Sequence, residues 1–143
     1  MKQDTVRLMR ECSEGIEMGL EAIDRVLPLV HAPDFRQSLL HCRHRHRELG
    51  REIIMRLDAE GIAKKRLHPM AAWMAGMHIA CRIRLHPTDA SAAKLITGGC
   101  NMGIASLSRL LNQYPNASEA ARNLTKALIE SEEQLAQTCR AWL

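Results

Sequence analysis

The sequence GIEMGLEAIDRVL, Gly15–Leu27, returns without gaps as GCNMGIASLSRLL, Gly99–Leu111, at an offset of 84 residues. Five of the thirteen positions are identical and four more are similar. A weaker match, at an offset of 86, relates HRELGREI, His46–Ile53, to EEQLAQTC, Glu132–Cys139. We interpret the chain as a duplicated helical hairpin, in which helix one corresponds to helix three and helix two to helix four. The identical positions of the first match are Gly15/Gly99, Met18/Met102, Gly19/Gly103, Arg25/Arg109 and Leu27/Leu111.

Two long helices are predicted around the first copies of these repeats. Apolar residues spaced by three, four or seven indicate a helix over about Asp4–Val30, in which Pro28 can kink the last turn and which Pro33 ends. Asp34 is the expected N-cap of the second helix, and Gly61 is its expected stop signal. One stripe of the second helix carries Phe35, Leu39, Cys42, His46, Leu49, Ile53 and Leu57.

The rest of the chain predicts three more helices. A short helix is expected over Pro69–Leu85, with proline in its first turn. Thr88 or Asp89 caps a long helix that runs to about Tyr114, and Ser118 begins a last helix that reaches the C-terminus. Since no segment has the alternation of a strand, the fold class is all-α: four long helices, with a short extra helix between helices 2 and 3.

Composition and length limit the class of protein. The chain has 143 residues, of which 46% are hydrophobic and 25% charged, as expected for one globular domain over residues 1–143. Its longest weakly polar stretch, Met70–Cys81, is shorter than the ~20 residues of a membrane span, and the N-terminus has no apolar leader. The five cysteines are scattered and form no CxxC pair. We therefore expect a cytoplasmic protein with reduced thiols and no membrane association.

Several motifs together resemble a known group. They are GIEMGLEAID near the start, HRELGREI in helix two, MAAWMAGMHIACRIRL in the short helix, TGGCNMGIASLSRLLNQY in helix three and LIESEEQLAQTCRAWL at the end. Over nearly its whole length the chain resembles a group of short bacterial ferritin-like proteins of unknown function. The resemblance implies a ferritin-like up-down four-helix bundle, the plan that a duplicated hairpin joined by a long crossover also favours. It implies no activity.

Ferritin-like di-iron proteins bind metal through a Glu from each of two helices and a Glu-x-x-His pair from each of the other two. Here His46 stands where such a histidine could, but Arg43 lies three residues before it and would repel a cation. Glu17 in helix one matches Asn101 in helix three, so a second carboxylate is missing. We expect a degenerate site without a resident cofactor. The candidate ligands for iron, manganese or zinc that remain are Glu17 (or Glu14), His46 and Glu132.

Cys42 and His46 lie four residues apart, on one face of helix two. They could form part of a softer metal site if Cys12 or Cys100 approached from a neighbouring helix. The alternative, which we favour, is a buried thiol beside a hydrogen-bonded histidine.

The basic residues are concentrated in one segment. Residues 34–68 carry nine Lys and Arg against five Asp and Glu, whereas residues 1–33 are net acidic. The basic residues of His41–Arg47 alternate and so spread around the helix, Glu48 can pair with them, and no aromatic residues offer a stacking platform for bases. We therefore expect a solvated face, or one paired with acidic helix one, and no nucleic-acid binding.

The repeated glycines predict close helix packing. Gly15 and Gly19, like Gly99 and Gly103, are four residues apart and share a helix face. Each glycine in a helix interior costs ~1 kcal/mol relative to alanine, so we expect a compensating close approach of helices one and three at a pseudo-two-fold axis.

The short helix predicts a partner surface. Pro69–Leu85 is apolar over much of its circumference, so more than one neighbour must cover it. Trp73, Met74 and Met77 are residue types common at interfaces, and we expect them to contribute to a homodimer. The function expected from these features is that of a non-catalytic dimeric structural, binding or stress-related protein. The alternative is a metal-binding or oxidant-handling protein with a reduced ligand set.

Overall fold

A computed structural model describes residues 2–62 and 87–143, and this part of the chain is helical without strands. Its α-helices are α1 (Lys2–Val26), α2 (Pro33–Ala59), α3 (Asp89–Gln113) and α4 (Glu119–Cys139). A 3₁₀ turn, Leu27–Leu29, follows α1, and another, Arg140–Trp142, follows α4. The predicted all-α class and the four long helices are confirmed within these residues.

The helix boundaries confirm two of the predicted caps and correct a third. The side chains of Thr88 and Ser118 accept hydrogen bonds from backbone N–H groups in the first turns of α3 and α4. The prediction that Asp34 caps the second helix is wrong, since Ala32 is the N-cap and Pro33 occupies the first turn. Proline suits that position because its missing N–H would have no partner there.

Two apolar clusters fix the directions of the helices. The first contains the C-terminal parts of α1 and α4 and the N-terminal parts of α2 and α3. The second contains the opposite ends of all four helices. Therefore α1 and α4 run in one direction, and α2 and α3 run in the other. The end of α2 and the start of α3 lie at opposite ends of the bundle, so the directions are up, down, down and up.

The helix contacts place α1 beside α2 and α3, and α4 beside α2 and α3, while α1 and α4 also touch each other. All seven residues of the predicted stripe on the second helix are buried, which confirms its orientation. Six of the seven are apolar or thiol side chains. The seventh, His46, is 1% exposed and lies between the two clusters.

Two contacts hold the end of the bundle where α2 begins. The Asp89 carboxylate accepts hydrogen bonds from the backbone N–H groups of His31 and Ala32 at 2.7 and 2.8 Å, which ties the turn between α1 and α2 to the start of α3. The Phe35 ring stacks on the Trp142 ring, with centroids 4.8 Å apart.

The predicted short helix Pro69–Leu85, with Trp73, Met74 and Met77, lies outside the described residues. Among the helices that are described, none combines the length and the apolar character needed to cross a membrane.

Candidate functional site

A buried ion pair joins the two copies of the second repeat. His46 Nε2 on α2 lies 2.9 Å from Glu132 Oε1 on α4. The His46 side chain is 1% exposed and that of Glu132 is 13% exposed. Since a carboxylate can only accept, the Nε2–H group donates this hydrogen bond. The pair occupies the middle of the bundle, between the two apolar clusters.

The other ring nitrogen of His46 meets a thiol and a hydroxyl. Nδ1 lies 3.5 Å from Cys42 Sγ and 3.4 Å from Ser131 Oγ, and these two atoms lie 3.7 Å from each other. Cys42 is one helical turn before His46, and Ser131 comes from α4. The expected buried thiol beside a hydrogen-bonded histidine is therefore confirmed. The thiol of Cys42 contacts the imidazole of His46, which contacts the carboxylate of Glu132. A nucleophile, its base and the group that orients the base are arranged in this order.

The surroundings of His46 favour its protonated form. Burial by itself lowers the pKa of His46, but its hydrogen bonds and electrostatic interactions with Cys42 and Glu132 outweigh burial and raise that pKa to about 10. With both ring nitrogens protonated, the imidazolium donates to the carboxylate on one side and towards the sulfur on the other.

The repeated glycines make room for this ion pair. A Cβ atom on Gly19 would lie 3.1 Å from His46 Cδ2, and one on Gly103 would lie 3.5 Å from the Glu132 carboxyl carbon. In contrast, a Cβ on Gly15 or Gly99 would have nothing within 4 Å among residues 2–62 and 87–143. Gly19 thus faces His46 of its own hairpin, and Gly103 faces Glu132 of its own hairpin. That the four glycines let helices one and three approach each other stays a prediction.

Two of the three predicted metal ligands are in contact. His46 lies against Glu132 at 2.9 Å. Residues 2–62 and 87–143 contain no group of three or more His, Cys, Asp or Glu that could hold a metal ion. The Nδ1 side of the His46 ring faces a thiol and a hydroxyl. A metal site formed by Glu17, His46 and Glu132 stays a prediction.

The remaining described cysteines are buried and held as neutral thiols. Burial and the carboxylate of Glu132 raise the pKa of Cys100 far above its usual range. Burial also raises the pKa of Cys139 to about 11, with a smaller contribution from Cys42. Cys12 lies in the other cluster, where its sulfur is 3.2 Å from Thr125 Oγ1, and burial raises its pKa to about 11. Of the two thiols expected to approach, Cys100 does so and Cys12 does not.

A groove between α2 and α4 leads to Cys42. It encloses about 580 Å³ as formed by the described residues, and Cys42 and Ser131 lie in its lining. Cys42 itself is 4% exposed, so its sulfur lies at the bottom of this groove. On α2 the lining residues are Asp34, Gln37, Ser38, His41, Cys42 and Arg45. On α4 they are Ala127, Glu130, Ser131, Gln134, Leu135 and Thr138.

The basic residues around the site are paired with acids. Arg43 contacts Asp24 of α1 at 2.7 Å, which is the expected pairing with acidic helix one. Glu48 contacts both His44 at 2.6 Å and Arg45 at 3.3 Å, as expected from their spacing. This part of the surface therefore carries opposite charges side by side.

Ser131 is the site residue that our sequence reasoning missed. It continues a helical stripe of buried residues, which was the available signal: Leu124, Leu128, Ser131, Leu135 and Cys139 are spaced by four, three, four and four. A serine on such a stripe indicates a polar contact in the core, because a buried hydroxyl needs a hydrogen-bond partner.

Comparison of the chain with protein-family models, with curated proteins and with solved structures finds no match.

Proposed function

We propose that this protein handles oxidants through the thiol of Cys42, which His46 and Glu132 activate. The observation that carries the proposal is the continuous contact from Cys42 Sγ to His46 Nδ1 at 3.5 Å, and from His46 Nε2 to Glu132 Oε1 at 2.9 Å. An imidazolium held in place by a carboxylate stabilises negative charge on a neighbouring sulfur, and the thiolate is the reactive form of cysteine.

The substrate class is a small hydroperoxide. The Cys42 thiolate attacks the terminal peroxide oxygen, the S–O bond forms as the O–O bond breaks, and the alkoxide or hydroxide that leaves takes a proton. The protonated His46 is the nearest donor for that proton. The sulfur is oxidised to a sulfenic acid, and the peroxide is reduced to an alcohol or water. A cellular thiol returns Cys42 to its reduced state, as fits the reducing cytoplasm that we expect for this chain.

A labelling experiment tests this proposal. The purified protein is treated with one equivalent of hydrogen peroxide in the presence of dimedone, which traps sulfenic acids, and the labelled residue is located by peptide mass spectrometry. We expect the label at Cys42. His46→Gln should lower the labelling rate by about 100-fold, the lower end of what a positioned acid or base contributes. Cys12→Ser is the matched control, because it removes a buried thiol from the other cluster and should leave the rate unchanged.

Two results would overturn the proposal. One is labelling that is equal in the wild type and in His46→Gln, since the imidazole would then have no effect on the sulfur. The other is no label at Cys42 in the folded protein, which would return the chain to the non-catalytic structural or binding role that its degenerate ligand set indicates.

We also propose that the bundle is ferritin-like. The directions up, down, down and up need one connection between opposite ends of the bundle, and ferritin-like bundles have one such crossover. The buried ion pair at mid-length lies where that class holds its metal ions between facing helices. The homodimer remains an expectation from Trp73, Met74 and Met77, and sedimentation velocity of the wild type and of Trp73→Ala would test it.

A further inference from the structure

We infer that the groove between α2 and α4 binds a small zwitterionic peptide thiol, or its disulfide, as the exchange partner of Cys42. This inference rests on the proposed function, for which it names the reductant. The groove is about half open to solvent and has a volume of about 580 Å³, which is enough space for a small molecule, and Cys42 lies in its wall.

The acidic and basic side chains that line the groove are Arg45 and Asp34 on α2 and Glu130 on α4, which lies beside Ser131. Arg45 comes three residues after Cys42 on α2, about 5 Å along the helix axis, and Asp34 comes eight residues before it, about 12 Å away. A ligand whose sulfur meets Cys42 would therefore place a carboxylate on a short arm at Arg45. It would place an ammonium group on a longer arm at Asp34.

The longer side of the groove carries amide side chains. Gln37 on α2 and Gln134 on α4 line it, and both side chains can donate and accept hydrogen bonds. These are the partners that peptide groups need. Within the described residues the ion-pair partner of Arg45 is Glu48, at 3.3 Å with both side chains about half exposed, so a carboxylate can displace that contact at small cost.

The chemistry is thiol–disulfide exchange. The Cys42 sulfenic acid reacts with one peptide thiol to give a mixed disulfide and water. A second peptide thiol attacks the peptide sulfur of that mixed disulfide, which releases the Cys42 thiol and a small disulfide. In the reverse direction, the Cys42 thiolate attacks a small disulfide. Its S–S bond breaks as the mixed disulfide forms, and the leaving thiolate takes up a proton.

The reverse direction tests the groove without using peroxide. Reduced protein is mixed with oxidised glutathione, a tripeptide disulfide with ammonium and carboxylate groups, or with 2-hydroxyethyl disulfide, which is uncharged. The rate of mixed-disulfide formation at Cys42 is followed by mass spectrometry. We expect the wild type to prefer glutathione by about fivefold, because two partly exposed ion pairs contribute modestly.

The double variant Asp34→Asn/Arg45→Gln should lose this preference, measured as the ratio of its rates with the two disulfides. Arg47→Gln, an exposed arginine outside the groove, is the control and should keep the preference. Two results would overturn the inference without affecting the proposed peroxide reaction: equal rates with the two disulfides in the wild type, or a preference that survives in the double variant.

The opposite case is also distinguishable. If the wild type prefers glutathione but peroxide does not oxidise Cys42, the proposed function is overturned while peptide binding in the groove is supported. No mixed disulfide at Cys42 with either reagent would also overturn the inference.

Discussion

His46 and Glu132 occupy equivalent positions in the two copies of the second repeat, and they bind each other at 2.9 Å across the bundle. Gly19 and Gly103, which are equivalent in the first repeat, flank them. A base and an acid thus meet at the same place in the bundle. Because their charges are opposite, each compensates the burial of the other.

Replacing Glu132 by glutamine should lower the free energy of unfolding by about 1–3 kcal/mol, because the charge that compensates a buried imidazolium is lost while an acceptor remains. Glu133→Gln, which changes the exposed neighbour, should leave stability within about 0.5 kcal/mol of the wild type. Urea denaturation of both variants checks this. A double-mutant cycle with His46→Gln should give a coupling free energy of about 1 kcal/mol or more. Additive effects would show that the two side chains do not support each other.

Stability should fall as the pH rises above neutrality. The pKa of His46 is raised from 6.5 to about 10 by the groups that face it, Cys42 on its own helix and Glu132 on α4. The folded state therefore binds this proton more tightly than the unfolded state. Its contribution is complete below pH 6.5 and is lost as the pH rises to about 10. It is of the order of a few kcal/mol, since one pKa unit corresponds to about 1.4 kcal/mol.

Denaturation at a series of pH values, with His46→Gln as the reference, isolates this effect. The difference in unfolding free energy between the wild type and His46→Gln should shrink steadily from pH 6.5 upwards. The buried thiols Cys12 and Cys139 add a further decrease between pH 9 and about 11 in both proteins, because the pKa of each is raised from 9.0 to about 11. A difference that widens with pH would contradict the protonated His46.

Much of the bundle was predictable because helices leave a periodic signal. The seven-residue stripe of α2 is buried throughout, and the caps Thr88 and Ser118 follow from side chains that accept hydrogen bonds from free N–H groups. The prediction for Asp34 is wrong because the helix already begins at Pro33, whose fixed φ angle and missing N–H suit the first turn, so that Ala32 is the N-cap.

Only part of the site could be predicted from the sequence, because the site depends on which faces of the helices pack against each other. The spacing of Cys42 and His46 gives their contact within one helix, and the repeat offset pairs His46 with Glu132. That Gly19 faces His46 while Gly15 faces nothing is decided by the position of α1 against α2, which the repeat alone does not specify. The same holds for Asp89, whose two hydrogen bonds to the turn before α2 join residues 57 and 58 positions apart.

Replacing Trp142 by alanine should destabilise the fold by about 1–3 kcal/mol, although the residue is the second from the C-terminus. The centroids of the Trp142 and Phe35 rings lie 4.8 Å apart in a stacked arrangement, and Phe35 is fully buried. The variant therefore removes apolar contacts at the edge of the first apolar cluster. Leu143→Ala is the control, because Leu143 is 62% exposed and should contribute little. Thermal unfolding of the two variants checks the expectation, and a Trp142→Ala midpoint equal to that of Leu143→Ala would refute it.

The two glycines of α1 should respond to alanine with opposite signs. At Gly15 a new Cβ meets nothing within 4 Å in the part of the chain that the structure describes, so Gly15→Ala should stabilise the protein by about 1 kcal/mol, the difference in helix propensity. At Gly19 the Cβ would lie 3.1 Å from His46 Cδ2 and 3.2 Å from Nε2. These distances are tighter than ordinary van der Waals contact, and the ring is fixed on both sides.

Gly19→Ala should therefore lose the propensity gain, lower the stability of the protein, and slow the labelling of Cys42 by displacing the imidazole that contacts it. Gly99→Ala repeats the open-space test in α3 and should behave like Gly15→Ala, which makes it the internal control for helix propensity. Urea denaturation of the three variants gives the signs. Stabilisation by Gly19→Ala to the same extent as by Gly15→Ala would mean that His46 has room to move, and that the repeated glycine is not what seats the ion pair.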